Sequence, residues 1–171
     1  MFEESRPLIH LPDAHLKHVI INLDSHVLDL LADFAVTDFP PPKNVLPGRP
    51  DAYLYVFCFV KDGIECPWYV GQTCRLSERM SDYEAKYFHA CTDFRVGEVA
   101  TFLREHFPLV VRYKATSDRR KEEKKLITEL MLAGVRLLNS LPSYDYTSAN
   151  EEAERMIAKR FCELLISSTQ R

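Results

Sequence analysis

The 171-residue chain has few glycines and no long apolar run. Its five glycines form no glycine-rich phosphate loop. No uninterrupted apolar stretch approaches the roughly 20 residues that span a bilayer, and residues 1–6 include Glu3 and Glu4 but no apolar signal segment. Internal repeats and low-complexity tracts are also lacking. These absences argue against a P-loop enzyme, a membrane protein and a repeat array, and we expect a cytoplasmic protein.

Cysteine and histidine patterns do not indicate a metal site. The five cysteines are odd in number and include no C-x-x-C pair, which argues against a disulfide framework and a zinc knuckle. We interpret Cys58, Cys66 and Cys74 as core residues of a hairpin and its following loop, because a nucleophilic cysteine needs a paired histidine. No cysteine or carboxylate pattern completes a site with the N-terminal histidines, which are His10, His15, His18 and His26.

The composition predicts one folded domain with an uneven charge distribution. The chain is 46% hydrophobic, 11% aromatic and 27% charged, with a net charge of −3, which suits a packed core. Residues 75–125 carry 12 lysines and arginines against 9 acidic residues, and no other region is positive. A dense basic stretch within this region consists of Arg112, Lys114, Arg119, Arg120, Lys121, Lys124 and Lys125. A solvated helix face is the alternative interpretation of that stretch, and it would move the surface for DNA to Arg75, Lys86 and Arg95.

Periodicity divides the chain into three regions. Residues 1–50 form an N-terminal extension with a short helix and a proline-rich connector, and residues 141–171 form a C-terminal helix. Residues 51–140 form the central module. Its fold class is α/β (α+β), with a small three-stranded antiparallel sheet flanked by helices. We predict strands at 53–60, 68–71 and 109–113, and helices that begin near Leu76, at Val96, after Asp118 or a neighbour, and at Ala149.

An ordered set of motifs runs through the central module. Tyr53-Leu54-Tyr55 is followed by Tyr69-Val70-Gly71-Gln72-Thr73, then by Arg79 eight residues after the glycine, by Glu123 ahead of Leu126-Ile127, and by Leu138-Asn139. Each element alone is ordinary, but the set in this order resembles the GIY-YIG nuclease family over about ninety residues, 53–139.

The resemblance implies metal-dependent hydrolysis of DNA phosphodiester bonds with one divalent cation, Mg²⁺ or Mn²⁺. Glu123 would hold the metal, which polarises the scissile phosphate. Arg79 would neutralise charge that develops on the phosphate. Tyr55 would position or deprotonate the attacking water, and nearby cations would have to lower its pKa for it to act as a base.

The resemblance implies three further site residues. Tyr69 would assist Tyr55, Tyr83 occupies the place of a family histidine or tyrosine, and Asn139 would orient the site by hydrogen bonding. Contacts with DNA are expected from Arg75, Arg119, Arg120, Lys121, Lys124 and Lys125. Target selection is expected from the flanking regions, a homodimer or a partner protein.

The residues themselves support part of this assignment. Arg79 and Tyr83 lie at i and i+4, on the helix face that also carries Leu76. Glu123 lies in the middle of an apolar stripe, because Leu126, Ile127, Leu130 and Met131 follow it at i+3, i+4, i+7 and i+8. A carboxylate there is costly unless it meets a cation. The alternative for Glu123 is a salt bridge to Arg79 or to Arg120.

Joint action of Tyr55 and Tyr69 requires both side chains on one face of the hairpin. A two-residue loop at Asp62-Gly63 would place them on opposite faces. A three-residue loop, Lys61-Asp62-Gly63, would pair them directly. Both loops are chemically allowed, and we predict the second because the function requires it.

The sequence departs from the family pattern at Tyr53, where the family has glycine, and in two long separations, from Tyr55 to Tyr69 and from Glu123 to Asn139. None of these departures removes a reactive group, so we expect an active enzyme. The alternative functions are a catalytically silent nucleic-acid-binding or assembly module on the same fold, and a plain interaction protein without phosphate affinity.

Overall fold

A computed structural model of the chain describes residues 26–48, 51–86, 90–142 and 148–169. The strands are β1 (Ala35–Asp38), β2 (Ala52–Lys61), β3 (Ile64–Thr73) and β4 (Leu109–Thr116). The helices are α1, of which residues 26–31 are described, α2 (Leu76–Ala85), α3 (Cys91–Arg104), α4 (Arg119–Leu132) and α5 (Glu151–Thr169). In the described part of the chain, no helix combines the length and the apolar character that crossing a bilayer requires.

The strands form one antiparallel sheet in the order β1-β4-β2-β3. The predicted mixed α/β architecture, with helices flanking an antiparallel sheet, is confirmed, but the number of three strands is wrong. The added strand, β1, pairs with β4 from Ala35 opposite Tyr113 to Asp38 opposite Val110. Its four residues have one buried position, so no alternating apolar pattern marks it, and its pairing with β4 is what makes it a strand.

The two faces of the sheet carry separate cores. Tyr53, Tyr55, Phe57 and Phe59 of β2 point to one side, which we call the tyrosine face, and helices α2, α3 and α5 cover it. Leu54, Val56 and Cys58 point to the opposite face, which α1 and α4 cover. Because side chains alternate along a strand, each residue of β2 belongs to one core or the other.

The β2–β3 hairpin differs from the prediction at its turn. Lys61 pairs with Ile64, so the loop is the two-residue Asp62-Gly63. Both residues have positive φ, 53° and 76°, as in the type I′ turn that Asp-Gly favours. The predicted three-residue loop, and the direct pairing of Tyr55 with Tyr69, are therefore wrong.

A bulge in the hairpin nevertheless places the two tyrosines on one face. Cys58 pairs with Pro67, whereas Phe57 pairs with Tyr69, so Trp68 is an extra residue on β3. An extra residue reverses the facing of the side chains beyond it. Tyr69 therefore shares the tyrosine face with Tyr55, and the strand partner of Tyr55 is Gly71.

The helices occur in the predicted order with different ends. The side chain of Asp118 caps α4 by accepting a hydrogen bond from the backbone N–H of Lys121 at 3.3 Å, in agreement with the predicted start after Asp118 or a neighbour. Helix α3 begins at Cys91 rather than at Val96. Its first turns carry charged side chains that are buried, Asp93 and Arg95 among them, and charged residues do not contribute to an apolar pattern.

Helix α5 is joined to α3 by a buried ion pair. Arg95 donates to the carboxylate of Glu154, with 3.1 Å between Nη2 and Oε1, and to the carbonyl oxygen of Pro142. The Arg95 side chain is 2% exposed and the Glu154 side chain is fully buried. The assignment of Arg95 to the alternative DNA surface is therefore wrong, because its guanidinium is buried, whereas Arg75 and Lys86 are exposed.

Candidate functional site

Three tyrosines come together on the tyrosine face. The ring centroid of Tyr55 lies 6.2 Å from that of Tyr69 and 6.3 Å from that of Tyr83. The phenol oxygens of Tyr55 and Tyr83 are hydrogen-bonded at 2.8 Å. Strand β2, the bulged strand β3 and helix α2 each contribute one ring, so the sheet register and the helix position fix the cluster together.

Gly71 makes room for the Tyr55 ring. A Cβ atom added to Gly71 would overlap with Cζ and Oη of Tyr55 and lie 2.6 Å from its Cε2. The Tyr55 ring therefore lies directly across the backbone of its strand partner, and only glycine permits this approach. The glycine of the Tyr-Val-Gly motif thus has a steric role at the site.

Arg79 lies beside the tyrosine cluster. Its guanidinium carbon is 4.8 Å from the centroid of the Tyr83 ring, a cation–π geometry. The guanidinium also forms a two-point contact with Asp93, between Nη1 and Oδ2 at 3.4 Å and between Nη2 and Oδ1. The Arg79 side chain is 21% exposed, so part of it contacts solvent.

Burial controls the protonation of the cluster. It raises the pKa of Tyr55, although the charge of Arg79 and the hydrogen bond to Tyr83 act in the opposite direction. Burial also raises the pKa of Tyr69 and Tyr83 well above the usual value. All three phenols are therefore protonated at neutral pH and serve as hydrogen-bonding groups, which differs from the expectation that nearby cations lower the pKa of Tyr55.

Burial lowers the pKa of the Arg79 guanidinium, but the neighbouring phenol oxygens and the Asp93 carboxylate raise it by more. The net shift is upward, so Arg79 keeps its positive charge at every accessible pH. Arg79 therefore supplies a fixed positive charge beside the phenols, and its ion pair with Asp93 partly offsets that charge.

Glu123 lies in a different layer of the fold. Its helix α4 packs on the opposite face through Leu126 and Leu130, and its side chain is half-buried. Burial raises the pKa of Glu123, with Arg119 and Lys124 acting in the opposite direction. Among the described residues no ion pair joins Glu123 to Arg79 or Arg120, so the salt-bridge alternative is not formed.

Strand topology still brings Glu123 and Arg79 to the same end of the sheet. Tyr53, near the start of β2, pairs with Thr73 at the end of β3 and with Ala115 near the end of β4. Helices α2 and α4 begin just after these strand ends, at this end of the sheet. Arg79 and Glu123 lie in the first turns of the two helices, and the partial positive charge of a helix start favours anions.

No group of three or more His, Cys, Asp or Glu side chains within the described ranges is placed to hold a metal. Mg²⁺ commonly uses one or two carboxylates and keeps several waters. A single desolvated carboxylate, Glu123, fits that kind of site. Of the N-terminal histidines, only His26 is described, and it is exposed; the other three lie outside the described residues.

Asn139 anchors the strand that carries Tyr69 and Gly71. Its amide Nδ2 donates to the carbonyl oxygen of Val70 at 2.7 Å, and its Oδ1 accepts from the backbone N–H of Val70 at 2.8 Å. Asn139 thus mimics a strand neighbour at the edge of the sheet, and it fixes the backbone between the two site residues.

The predicted DNA-contacting side chains differ in exposure. Arg75 precedes α2 and is exposed, Arg119 is half-buried, and the remaining four on α4 are exposed: Arg120, Lys121, Lys124 and Lys125. Lys125 also lies 3.9 Å from Glu129, one turn along α4. Both helix starts therefore carry positive side chains at the same end of the sheet.

Asp93 is the site residue that the sequence analysis missed. It lies in the first turn of α3, is 5% exposed and binds Arg79. The available signal was an acidic residue near a helix start, which ordinarily indicates an exposed interaction with the helix dipole. Nothing in the local pattern indicates that this carboxylate is buried or that it faces an arginine fourteen residues away.

The structure thus brings together Tyr55, Tyr69, Tyr83 and Arg79. Asn139 binds the backbone of β3 at the edge of the sheet, and Glu123 lies on α4, which covers the opposite face. Comparison of the chain with protein-family models, with curated proteins and with solved structures yields no match.

Proposed function

We propose that the chain is a metal-dependent endonuclease of the GIY-YIG type that hydrolyses DNA phosphodiester bonds. The observation that carries the proposal is the cluster of Tyr55, Tyr69, Tyr83 and Arg79, in which the Tyr55 ring lies across Gly71. Residues far apart in sequence supply one cation and several phenols to one place. This combination suits the binding and orientation of a phosphate and a water.

Arg79 is the proposed phosphate-binding residue. Its charge is fixed, it is held at the start of α2, and part of its side chain is exposed. A preorganised cation stabilises charge that develops on the phosphate without reorganisation during the reaction. We therefore propose that Arg79 stabilises the negative charge of the transition state of phosphodiester cleavage.

Tyr55 is the proposed water-orienting residue. Its raised pKa makes deprotonation of the attacking water by Tyr55 unfavourable. As a protonated phenol it can donate a hydrogen bond, and its oxygen is already oriented by Tyr83 at 2.8 Å. The role of Tyr55 in this proposal is thus to fix the direction of attack, with Tyr69 packed beside it.

Glu123 is the proposed ligand of one Mg²⁺ or Mn²⁺ ion. A carboxylate whose ionised form burial disfavours gains from a cation, and oxygen ligands suit both metals. The bound metal supplies Lewis acidity at a phosphate oxygen. The exposed cations of α4 and Arg75 are proposed to bind flanking phosphates of the DNA.

Nuclease assays on plasmid, linear duplex, single-stranded and branched DNA, with Mg²⁺, Mn²⁺ or excess chelator, test the proposal. We expect cleavage only with a divalent cation, and loss of cleavage in Glu123→Gln with the fold retained. Glu129→Gln is the matched control, because it removes a carboxylate from the same helix that is 38% exposed and lies 3.9 Å from Lys125. Cleavage in chelator, or undiminished cleavage by Glu123→Gln, contradicts the metal assignment.

Variants of the cluster test the assigned roles. Arg79→Ala and Tyr55→Phe are each expected to lower turnover by about 100-fold or more, with a much smaller effect on DNA affinity. DNA binding without cleavage under any of these conditions would instead indicate the catalytically silent binding module. The cytoplasmic location, and target selection by flanking regions, a homodimer or a partner protein, stay predictions.

A further inference from the structure

The best-defined polar contact beside the tyrosine cluster joins Arg79 to Asp93. Both terminal nitrogens of the guanidinium face the two carboxylate oxygens, and the guanidinium also stacks on Tyr83 at 4.8 Å. A two-point ion pair and a stacked ring together restrict the rotations of a long side chain. The orientation of Arg79 is therefore set before any ligand arrives.

Asp93 is itself held in place. It lies in the first turn of α3, where the helix start stabilises a negative charge, and its side chain is 7% exposed. A buried carboxylate is unfavourable without a partner, and Arg79 supplies that partner. Because Asp93 is so buried while Arg79 is partly exposed, DNA can reach the arginine but has little access to the carboxylate.

The ion pair leaves donors of Arg79 available. A guanidinium has five N–H donors; the two-point contact with Asp93 uses two of them, and the Tyr55 phenol oxygen accepts from a third. A phosphate oxygen can therefore bind the remaining donors while Asp93 stays in place. Asp93 can therefore hold Arg79 in place without competing with a phosphate for all of its N–H donors.

We propose that Asp93 is a positioning residue: it orients the Arg79 guanidinium toward the scissile phosphate. The inference rests on the proposed endonuclease function and adds a residue that acts through Arg79 without contacting the substrate. Misplacement of a catalytic group by about 1 Å can lower a rate by about 100-fold. Loss of the Asp93 carboxylate also removes negative charge near the DNA, so affinity for DNA is retained or increased.

The test is a comparison of wild type, Asp93→Asn, Arg79→Ala and the double variant, with turnover measured at saturating DNA and affinity measured in chelator. We expect Asp93→Asn to lower kcat by about 10- to 100-fold without weakening DNA binding. In the Arg79→Ala background, Asp93→Asn is expected to cause no further loss, because residues that act as a unit are not additive.

Glu98→Gln is the matched control. Glu98 is a second buried carboxylate of α3, and its partners are Lys86 and Arg155, each at 3.7 Å. Its replacement removes the same charge from the same helix without touching Arg79, so we expect wild-type kcat. A loss equal to that of Asp93→Asn would show a general charge effect and would overturn the proposal.

The remaining outcomes separate this inference from the proposed function. Cleavage by wild type with unchanged or increased kcat in Asp93→Asn, or with a further loss in the double variant, overturns the positioning role alone. Absence of cleavage by wild type overturns both. If thermal melting shows that Asp93→Asn is unfolded, Asp93→Glu keeps the charge but moves the carboxylate, so reduced kcat supports positioning and wild-type kcat overturns it.

Discussion

The contact between Gly71 and Tyr55 yields a sharp prediction about stability. In Gly71→Ala, the new Cβ would overlap with the end of the Tyr55 ring. Glycine-to-alanine changes elsewhere are often stabilising by about 0.4–1 kcal/mol, because they restrict the unfolded chain. Here we expect the opposite sign, a loss of about 1–3 kcal/mol, which is typical of an overpacked core.

The expected loss of stability follows from the position of the Tyr55 atoms that the new Cβ would overlap. They belong to a ring whose side chain is 1% exposed and whose oxygen is hydrogen-bonded to Tyr83 at 2.8 Å. The ring cannot move away without breaking this bond and its contacts, and Gly71 sits within a strand paired to β2. Strain and the lost hydrogen bond, about 0.5–1.5 kcal/mol for the latter, therefore act in the same direction.

Urea unfolding measures this loss. The chain has one tryptophan, Trp68, which is fully buried, so its fluorescence reports unfolding of the tyrosine face. The matched control is Gly48→Ala, since a Cβ at Gly48 meets no atom within 4 Å. We expect little change in the free energy of unfolding for this control.

The same substitution in a Tyr55→Leu background separates the clash with the Tyr55 ring from other effects of Gly71→Ala. Tyr55→Leu lacks the ring atoms that the new Cβ would meet. We therefore expect Gly71→Ala to lower the free energy of unfolding much less in Tyr55→Leu than in wild type. Coupling between contacting residues of about 0.5–3 kcal/mol is usual. An equal cost in both backgrounds, or a cost no larger than that of Gly48→Ala, refutes the steric explanation.

Three further predictions concern charged side chains. The raised pKa of Glu123 means that the folded chain binds its proton more tightly than the unfolded chain, so ionisation of Glu123 destabilises the fold as pH rises. Glu123→Gln should therefore unfold at higher urea than wild type at pH 7, and the difference should shrink as pH falls through the raised pKa of Glu123 and be gone below the usual pKa of a glutamate. Arg120→Glu with Lys124→Glu should weaken DNA binding and flatten its salt dependence by roughly 0.9 in the log–log slope per lost phosphate contact on duplex DNA. Glu154→Gln should remove the buried carboxylate that Arg95 binds, and it should lower the free energy of unfolding by about 3–5 kcal/mol in urea titrations.

Each of these predictions has a control and a contrary outcome. Glu129→Gln controls for the loss of a glutamate on α4, and an unchanged stability of Glu123→Gln at pH 7 would contradict the burial penalty. Lys159→Glu with Arg160→Glu makes the same charge change on the exposed part of α5. If this control flattens the salt dependence of DNA binding as much as the α4 double variant does, the cations of α4 do not form a specific DNA-binding surface. A loss below 1 kcal/mol in Glu154→Gln would show that Arg95 regains water.

The sequence by itself determined most of the secondary structure. The aromatic and β-branched run of β2, the Asp-Gly turn and the apolar stripe of α4 each form locally, because backbone preference and side-chain period act over a few residues. The cap of α4 by Asp118 was likewise readable. The family resemblance implied six site residues, Tyr55, Tyr69, Arg79, Tyr83, Glu123 and Asn139, and the structure brings the first four together.

The tertiary structure decided where these side chains meet. A one-residue bulge at Trp68 moved Tyr69 onto the face of Tyr55, and no local preference distinguishes that register from its neighbours. The same holds for β1, whose four residues become a strand by pairing with β4. These features depend on partners distant in sequence.

Buried charge was also decided by tertiary structure alone. Asp93 and Arg95 resemble surface residues at a helix start, yet both are buried because Arg79 and Glu154 approach them from other elements. A charged side chain is tolerated in a core only when a partner compensates its lost hydration. The identity of that partner follows from the packing of helices against the sheet, which is why the sequence determined the charged side chains and the fold determined their neighbours.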